Sequence, residues 1–194
     1  MTEQFDDQLL DEFAHSFYGY GNYNGQYWFI GMEEGGGSSF AEIAKRLSVW
    51  ADRGRLELED VAEYHNQIGL SHLFQEKPVI QRTWGKLIRI LLSIDGIAPI
   101  TEQVREYQRS SLGRLNGTMC LTELLPLPSP DIGRWIYAQC SQLPYLADRE
   151  RYKHAFLMPR IKHLKQRISE HKPKAVIFYG FSYREYWQEI AGVN

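Results

Sequence analysis

The chain is poor in the residues that make several functions easy to read. It holds two cysteines, Cys120 and Cys140, in 194 residues. Two thiols without Cys-x-x-Cys spacing supply neither a disulfide framework nor a four-thiolate metal site, so free thiols are expected. No run approaches the roughly 18 consecutive apolar residues that cross a bilayer. The opening MTEQFDDQLLDEF is acidic where a secretory leader is basic and then apolar. No signal peptide or membrane partner is therefore read, and the cytoplasm is the expected compartment. The net charge of -2 excludes a protein that coats nucleic acid by bulk charge, while leaving room for one local basic face. There is no internal repeat, low-complexity linker, Ser-His-Asp order, nucleophile elbow or metal-spaced His cluster. Covalent and zinc chemistry thus lack support, and no metal or cofactor is expected.

What is present suits one globular domain spanning 1–194. The spacing of Phe5, Leu9, Leu10, Phe13 and Phe17 predicts a helix over 4–17. YGYGNYNGQ reads as a turn and YWFIG (27–31) as a short buried strand. Ser39 with Glu42 forms a capping box that opens a helix over 40–52. RTWGKLIRILLSI (82–94) reads as an apolar helix, and TEQVREYQRSSLG as a polar one ended by Gly113. TMCLTELL (118–125) and KPKAVIFYG (172–180) are the second and third strands. Between them lies a long basic helix, 148–170, which Pro159 should start or kink. SYREYWQEIAG closes the series as a helix. Strands separated by helices read as an α/β fold with a parallel sheet.

In open α/β sheets ligands bind beyond the carboxyl ends of the strands. Three loops qualify: GMEEGGGSS, LLPLPSPDIGR and YGFSYRE. The first admits three readings. Its glycines precede a helix and so expose N–H groups that suit a phosphate, although it matches neither GxxxxGK[ST] nor GxGxxG, and Glu33 and Glu34 repel anions. It is equally a tight turn with solvated carboxylates. Or the carboxylates orient water and stabilise positive charge, each raising the other's pKa toward that of a general base. Arg149, Arg151, Lys153, Arg160, Lys162, Lys165 and Arg167 make 149–167 the basic concentration of the chain. This is either a solvated face or a phosphate contact.

FIGMEEGGG is similar to the first motif of the uracil-DNA glycosylase superfamily, an apolar strand ending in Gly-x-[Asp/Glu/Ala/Asn]-Pro-[Tyr/Gly]. Gly31 takes the motif's glycine. Glu33 falls where many members carry the water-activating acid, and Glu34 replaces the usual proline. TWGKLIRILL resembles the family's Gly-x-x-Leu helix, and CLTELLPLPSP its second strand and proline-containing loop. The stretch from PYLADRE to REYW resembles the following helix, Pro-Lys-x-Ile strand, glycine and helix. The match runs in order over most of 27–190.

The resemblance implies a three-layer α/β/α domain with a short parallel sheet. It implies hydrolysis of the N-glycosidic bond of a damaged or deaminated DNA base, extruded into the strand-end pocket. Glu33 and Glu34 would hold water and offset the oxocarbenium charge. Gly31, Met32, Gly35, Phe40 and Glu123 would line the base site, with Phe40 stacking on the base unless it belongs to the core. Ser129, Arg134 and Arg160 would touch the DNA backbone. On this reading Glu33→Gln abolishes cleavage and leaves thermal stability nearly unchanged.

The departures are specific. Glu123 stands where an asparagine reads the uracil edge. An ionised glutamate only accepts, so an edge with two donors, such as guanine N1–H and N2–H2, fits better. Alternatively, Glu123 sits at a helix N-terminus or pairs with an arginine such as Arg134. The iron–sulfur branch needs four cysteine ligands and is excluded on count. The family's last strand and His-Pro-Ser loop have no counterpart, so the chain reads as a fragment or as a lineage that has lost half of the usual site. The departures suggest a second function, a non-catalytic DNA- or nucleotide-binding module, and the mild acidity and lack of a strong basic stripe suggest a third, a hydrolase or transferase acting on free nucleosides.

Overall fold

Helices cover both faces of a five-stranded sheet in the computed structural model, which describes residues 3–131 and 133–192. The strands are β1 (Gly19–Gly21), β2 (Tyr27–Gly31), β3 (Leu58–Glu59), β4 (Met119–Glu123) and β5 (Ala175–Phe178), in the spatial order β3-β1-β4-β2-β5. The helices are α1 (Asp7–Ser16), α2 (Phe40–Asp52), α3 (Val61–Gln67), α4 (Arg82–Ile94), α5 (Thr101–Ser110), α6 (Tyr137–Cys140), α7 (Arg149–His171) and α8 (Arg184–Ala191). The architecture is three-layer α/β/α.

The sheet corrects one expectation. Its centre, β4-β2-β5, is parallel, but β1 runs antiparallel to β4 and parallel to β3, so the sheet is mixed. Gly-Tyr-Gly, expected as a turn, is strand β1. Register aligns the parallel centre at its carboxyl end: Gly31 lies opposite Glu123, and Ile30 opposite both Thr122 and Phe178. The three strands therefore end nearly level, and whatever follows each one faces a common space.

The core explains why β2 sits in the middle. Trp28, Phe29 and Ile30 are fully buried, as a strand covered on both faces requires. The Trp28 indole donates to the Gly25 carbonyl at 2.9 Å, so its one polar atom is satisfied. Helix α4 buries Leu87, Ile88, Leu91 and Leu92 along one face and is capped by the Gln81 side chain, which accepts from the Trp84 amide at 2.7 Å.

Helix α7 starts at its Asp148 cap and runs unbroken for 23 residues through Pro159. The proline neither starts nor ends it. Pro159 is exposed, whereas Phe156 and Leu157 before it and Arg160, Ile161 and Leu164 after it are buried. Packing on both sides outweighs the lost hydrogen bond.

Candidate active site

The strand ends enclose a cleft of about 320 Å³, at the small end of the range for small-molecule sites. Glu33, Glu34 and Gly35 reach it from β2, Glu123 from β4 and Tyr179 from just beyond β5. Arg46 of α2, His65 of α3 and Trp84 of α4 form the facing wall.

Glu34 is a fixed anion. Arg46 Nη1 donates to its Oε1 at 3.0 Å, and the Tyr20 hydroxyl donates to its Oε2 at 2.7 Å. His65 Nδ1 donates to the Val61 carbonyl at 2.7 Å, which turns Nε2 toward Glu34 Oε1 at 3.3 Å. Burial alone would raise the Glu34 pKa. Arg46, then His65 and Tyr20, outweigh it and hold the carboxyl at about 2.

Glu33 forms an ion pair with buried Arg149, which also donates to Ser129 Oγ at 3.0 Å. Burial pushes Glu33 above the ordinary carboxylate value despite the arginine. Its Oε2 has no hydrogen-bond partner among the described residues. The ion pair overturns the expectation that Glu33→Gln is structurally silent, because that change leaves the Arg149 guanidinium without its counter-ion.

Glu123 is the opposite of Glu34. Its Oε1 accepts from the Tyr179 hydroxyl at 2.6 Å, and its Oε2 has no partner. Burial raises its pKa to about 8, against the Tyr179 hydrogen bond and with help from the negative charges of Glu34 and Glu33. Its surroundings thus favour the protonated form, which can donate as well as accept. A base edge facing Glu123 is therefore not restricted to two donors. Arg134 pairs with Asp131 at 3.2 Å, so it is not the partner of Glu123.

Gly31 makes this pairing possible. A Cβ there would fall 2.3 Å from Glu123 Oε2 and from the Tyr179 ring. Gly31→Ala should push the two side chains apart and cost about 1–3 kcal/mol of stability, read from urea unfolding. An unchanged midpoint would mean that the pair has room to shift.

The glycine loop does not offer a phosphate site. The Gly37 and Ser38 amides donate to the Glu42 carboxylate at 2.8 and 2.9 Å. Glu42 thus fills the nest that an anion would need, and Ser39 Oγ accepts from the Glu42 amide at 3.2 Å, as the capping box predicts. Gly36 sits at φ 110°, a backbone conformation that side-chain-bearing residues rarely adopt.

The remaining expected residues divide. Gly35 lines the cleft. Met32 is buried, and its carbonyl accepts from the Leu125 amide. Phe40 is partly buried, stacks on core Phe5 at 4.7 Å and does not line the cleft. Trp84 lines the cleft instead, half-buried and T-shaped to His65 at 5.2 Å between ring centroids. Of the three residues expected on a DNA backbone, Arg134 is exposed. Ser129 is buried beside Arg149, with its hydroxyl turned to the Asp131 and Arg134 carbonyls.

Arg160 is also buried. It lies 3.7 Å over the Tyr18 ring and donates to the carbonyls of Phe17, Glu123 and Leu124. It holds strand ends together and is closed to phosphate. Along the rest of α7, Arg151, Lys153, Lys165 and Arg167 pair with Asp148, Glu150, Glu189 and Glu57. The helix carries no continuous free basic stripe.

Tyr20, Arg46, His65, Trp84 and Tyr179 were not singled out from sequence. Helix α3, which carries His65, starts at Asp60, whose side chain accepts from the Ala62 and Glu63 amides. Among the described residues, no group of three or more His, Cys, Asp or Glu side chains is placed to hold a metal ion.

No protein-family model, curated protein or solved structure matches the chain.

Proposed function

We propose that the cleft hydrolyses an N-glycosidic bond to a nucleobase, as a divergent relative of the uracil-DNA glycosylases. The supporting observation is the pair of carboxyls at neighbouring strand ends in opposite surroundings: Glu34 is held by Arg46, Tyr20 and His65, which favours its ionised form, while Glu123 is buried against Tyr179 with Oε2 unpartnered among the described residues, which favours its neutral form. Environments that push two acids apart in this way supply an anion and an acid in one site. Glycoside cleavage passes through an oxocarbenium-like cation, which a fixed carboxylate stabilises. Glu34 takes that role. Glu33, with its free oxygen and raised pKa, receives the proton of the attacking water. Trp84 offers the base a flat apolar face. Glu33, Glu34 and Glu42 make the cleft unfavourable to phosphate, so the sugar and base enter while any phosphate stays outside.

A second reading, hydrolysis of free nucleosides, is favoured by one observation. The cations of α7 named above are spent on carboxylates of the same chain, which leaves little to hold a DNA backbone. The test is base release from single- and double-stranded oligonucleotides carrying uracil, hypoxanthine, xanthine or thymine, run beside the free nucleosides. Release from oligonucleotides alone selects the DNA reading, and release from nucleosides alone the other. Binding of abasic DNA by a cooperatively folding chain, with no base released from any substrate, replaces both with a non-catalytic module.

A further inference from the structure

The carboxyl of Glu123 is unlike Glu33, Glu34 and Glu42 around the cleft, because no cation among the described residues pairs with it. The Arg160 guanidinium beside it is turned to the backbone carbonyls of Glu123 and Leu124. From the β5 side the Tyr179 hydroxyl occupies Oε1, and from the β2 side the negative charges of Glu33 and Glu34 act on it. Across the cleft, Arg46 is committed to Glu34 and Glu42, and His65 to Glu34 and the Val61 carbonyl. Oε2 is left buried over Gly31 with no protein partner among the described residues. A carboxyl with two carboxylates near it and no counter-ion keeps its proton. With the Tyr179 hydroxyl donating to Oε1 at 2.6 Å, the proton of the neutral carboxyl sits on Oε2. A buried O–H without an acceptor is costly, and a ligand that brings an acceptor removes that cost.

Resting on the reading of the cleft as a site of N-glycoside hydrolysis, we propose that Glu123 is the general acid of that reaction, protonating the departing base through Oε2. The base then leaves as a neutral molecule. As the C1′–N bond breaks, its electron pair goes to the base, and the Glu123 proton goes to a ring nitrogen or carbonyl oxygen of that base. Water adds to the sugar cation at C1′ and gives its proton to Glu33. Solvent then reprotonates Glu123 and takes up the proton held by Glu33. The substrate class is a nucleoside unit whose base carries an acceptor that Oε2 can reach.

Three measurements test this. The rate of base release should be level through neutrality and fall about tenfold per pH unit above about 8. Tyr179→Phe should move that limb to higher pH, because the hydroxyl it removes stabilises the ionised form. Glu123→Gln keeps a donor but has no proton to transfer. It should lose on the order of 100-fold on nucleobase substrates and less than about tenfold on a nitrophenyl riboside, whose leaving group needs no acid. In parallel, the infrared carboxyl band of the resting protein should show a neutral carboxyl at pH 7 that is absent from Glu123→Gln. Base release with equal losses on both substrates, a flat profile to pH 10, or no neutral carboxyl overturns the assignment of Glu123 alone. Failure of the unaltered protein to cleave any substrate overturns the hydrolase reading and this inference together.

Discussion

Arg160→Ala should lose about 3–5 kcal/mol of stability. The guanidinium donates to the carbonyls of Leu124, Glu123 and Phe17 at 2.8, 2.8 and 2.9 Å. An acceptor left unpaired in the interior costs about 1–3 kcal/mol, and the truncated side chain adds a cavity. Relief of the buried charge offsets part of this, since burial already depresses the Arg160 pKa. What remains is a large share of the ~5–15 kcal/mol that holds a domain folded. Arg160→Lys should recover little, because an ammonium cannot span acceptors set for a planar fork. Urea unfolding of the three proteins checks this. A phosphate-binding arginine would behave in the opposite way. It would leave the unfolding midpoint unmoved and lower the salt dependence of DNA binding by about one ion.

Glu34→Gln carries the other large effect, and its signature is pH. In the folded chain Glu34 titrates at about 2, against an ordinary value of 4.5. Its ionised form is therefore favoured by folding, and the stabilisation is complete only above about pH 4.5. It declines as pH falls toward 2, where the folded carboxyl also takes up a proton. The shift corresponds to about 3 kcal/mol at neutral pH. Stability–pH curves for the unaltered protein and Glu34→Gln should thus be separated by about that amount at pH 7 and should converge near pH 2. A constant gap across that range would mean that Arg46 does not depend on the charge of Glu34. At a temperature where both proteins are folded, the variant should also lose base release by about 100-fold or more.

The parts of the fold that were legible in the sequence are those where one signal dominates. The apolar run YWFIG could only be buried, and it is β2 (Tyr27–Gly31). Ser39 with Glu42 sets the start of α2, and the Ser39 side chain makes that cap. The strongly one-sided 82–94 segment is α4 (Arg82–Ile94). Strand β1 was hidden because Gly-Tyr-Gly is turn chemistry by composition, and only pairing on both sides, with β3 and β4, makes it a strand. The two glutamates stood out by position, but their inequality did not. It depends on Arg46, Tyr20 and His65, which reach Glu34 from α2, β1 and α3. Arg160 was misread for a related reason. A basic run reads as surface, and nothing local marks Arg149 and Arg160, whose faces of α7 point inward.

Strand β2 lies between β4 and β5, and both neighbours come late in the chain, at 119–123 and 175–178. During synthesis this buried, largely apolar strand emerges early and waits for both its partners until much of the remaining chain has followed. Its closure cost is that of long loops, and parallel pairing of this kind is slow. The nascent chain therefore exposes a sticky edge through much of translation, a state that chaperones hold and crowded expression turns into inclusion bodies. Yield should respond more to the rate of translation and the supply of holding chaperones than to changes at the surface of the finished protein.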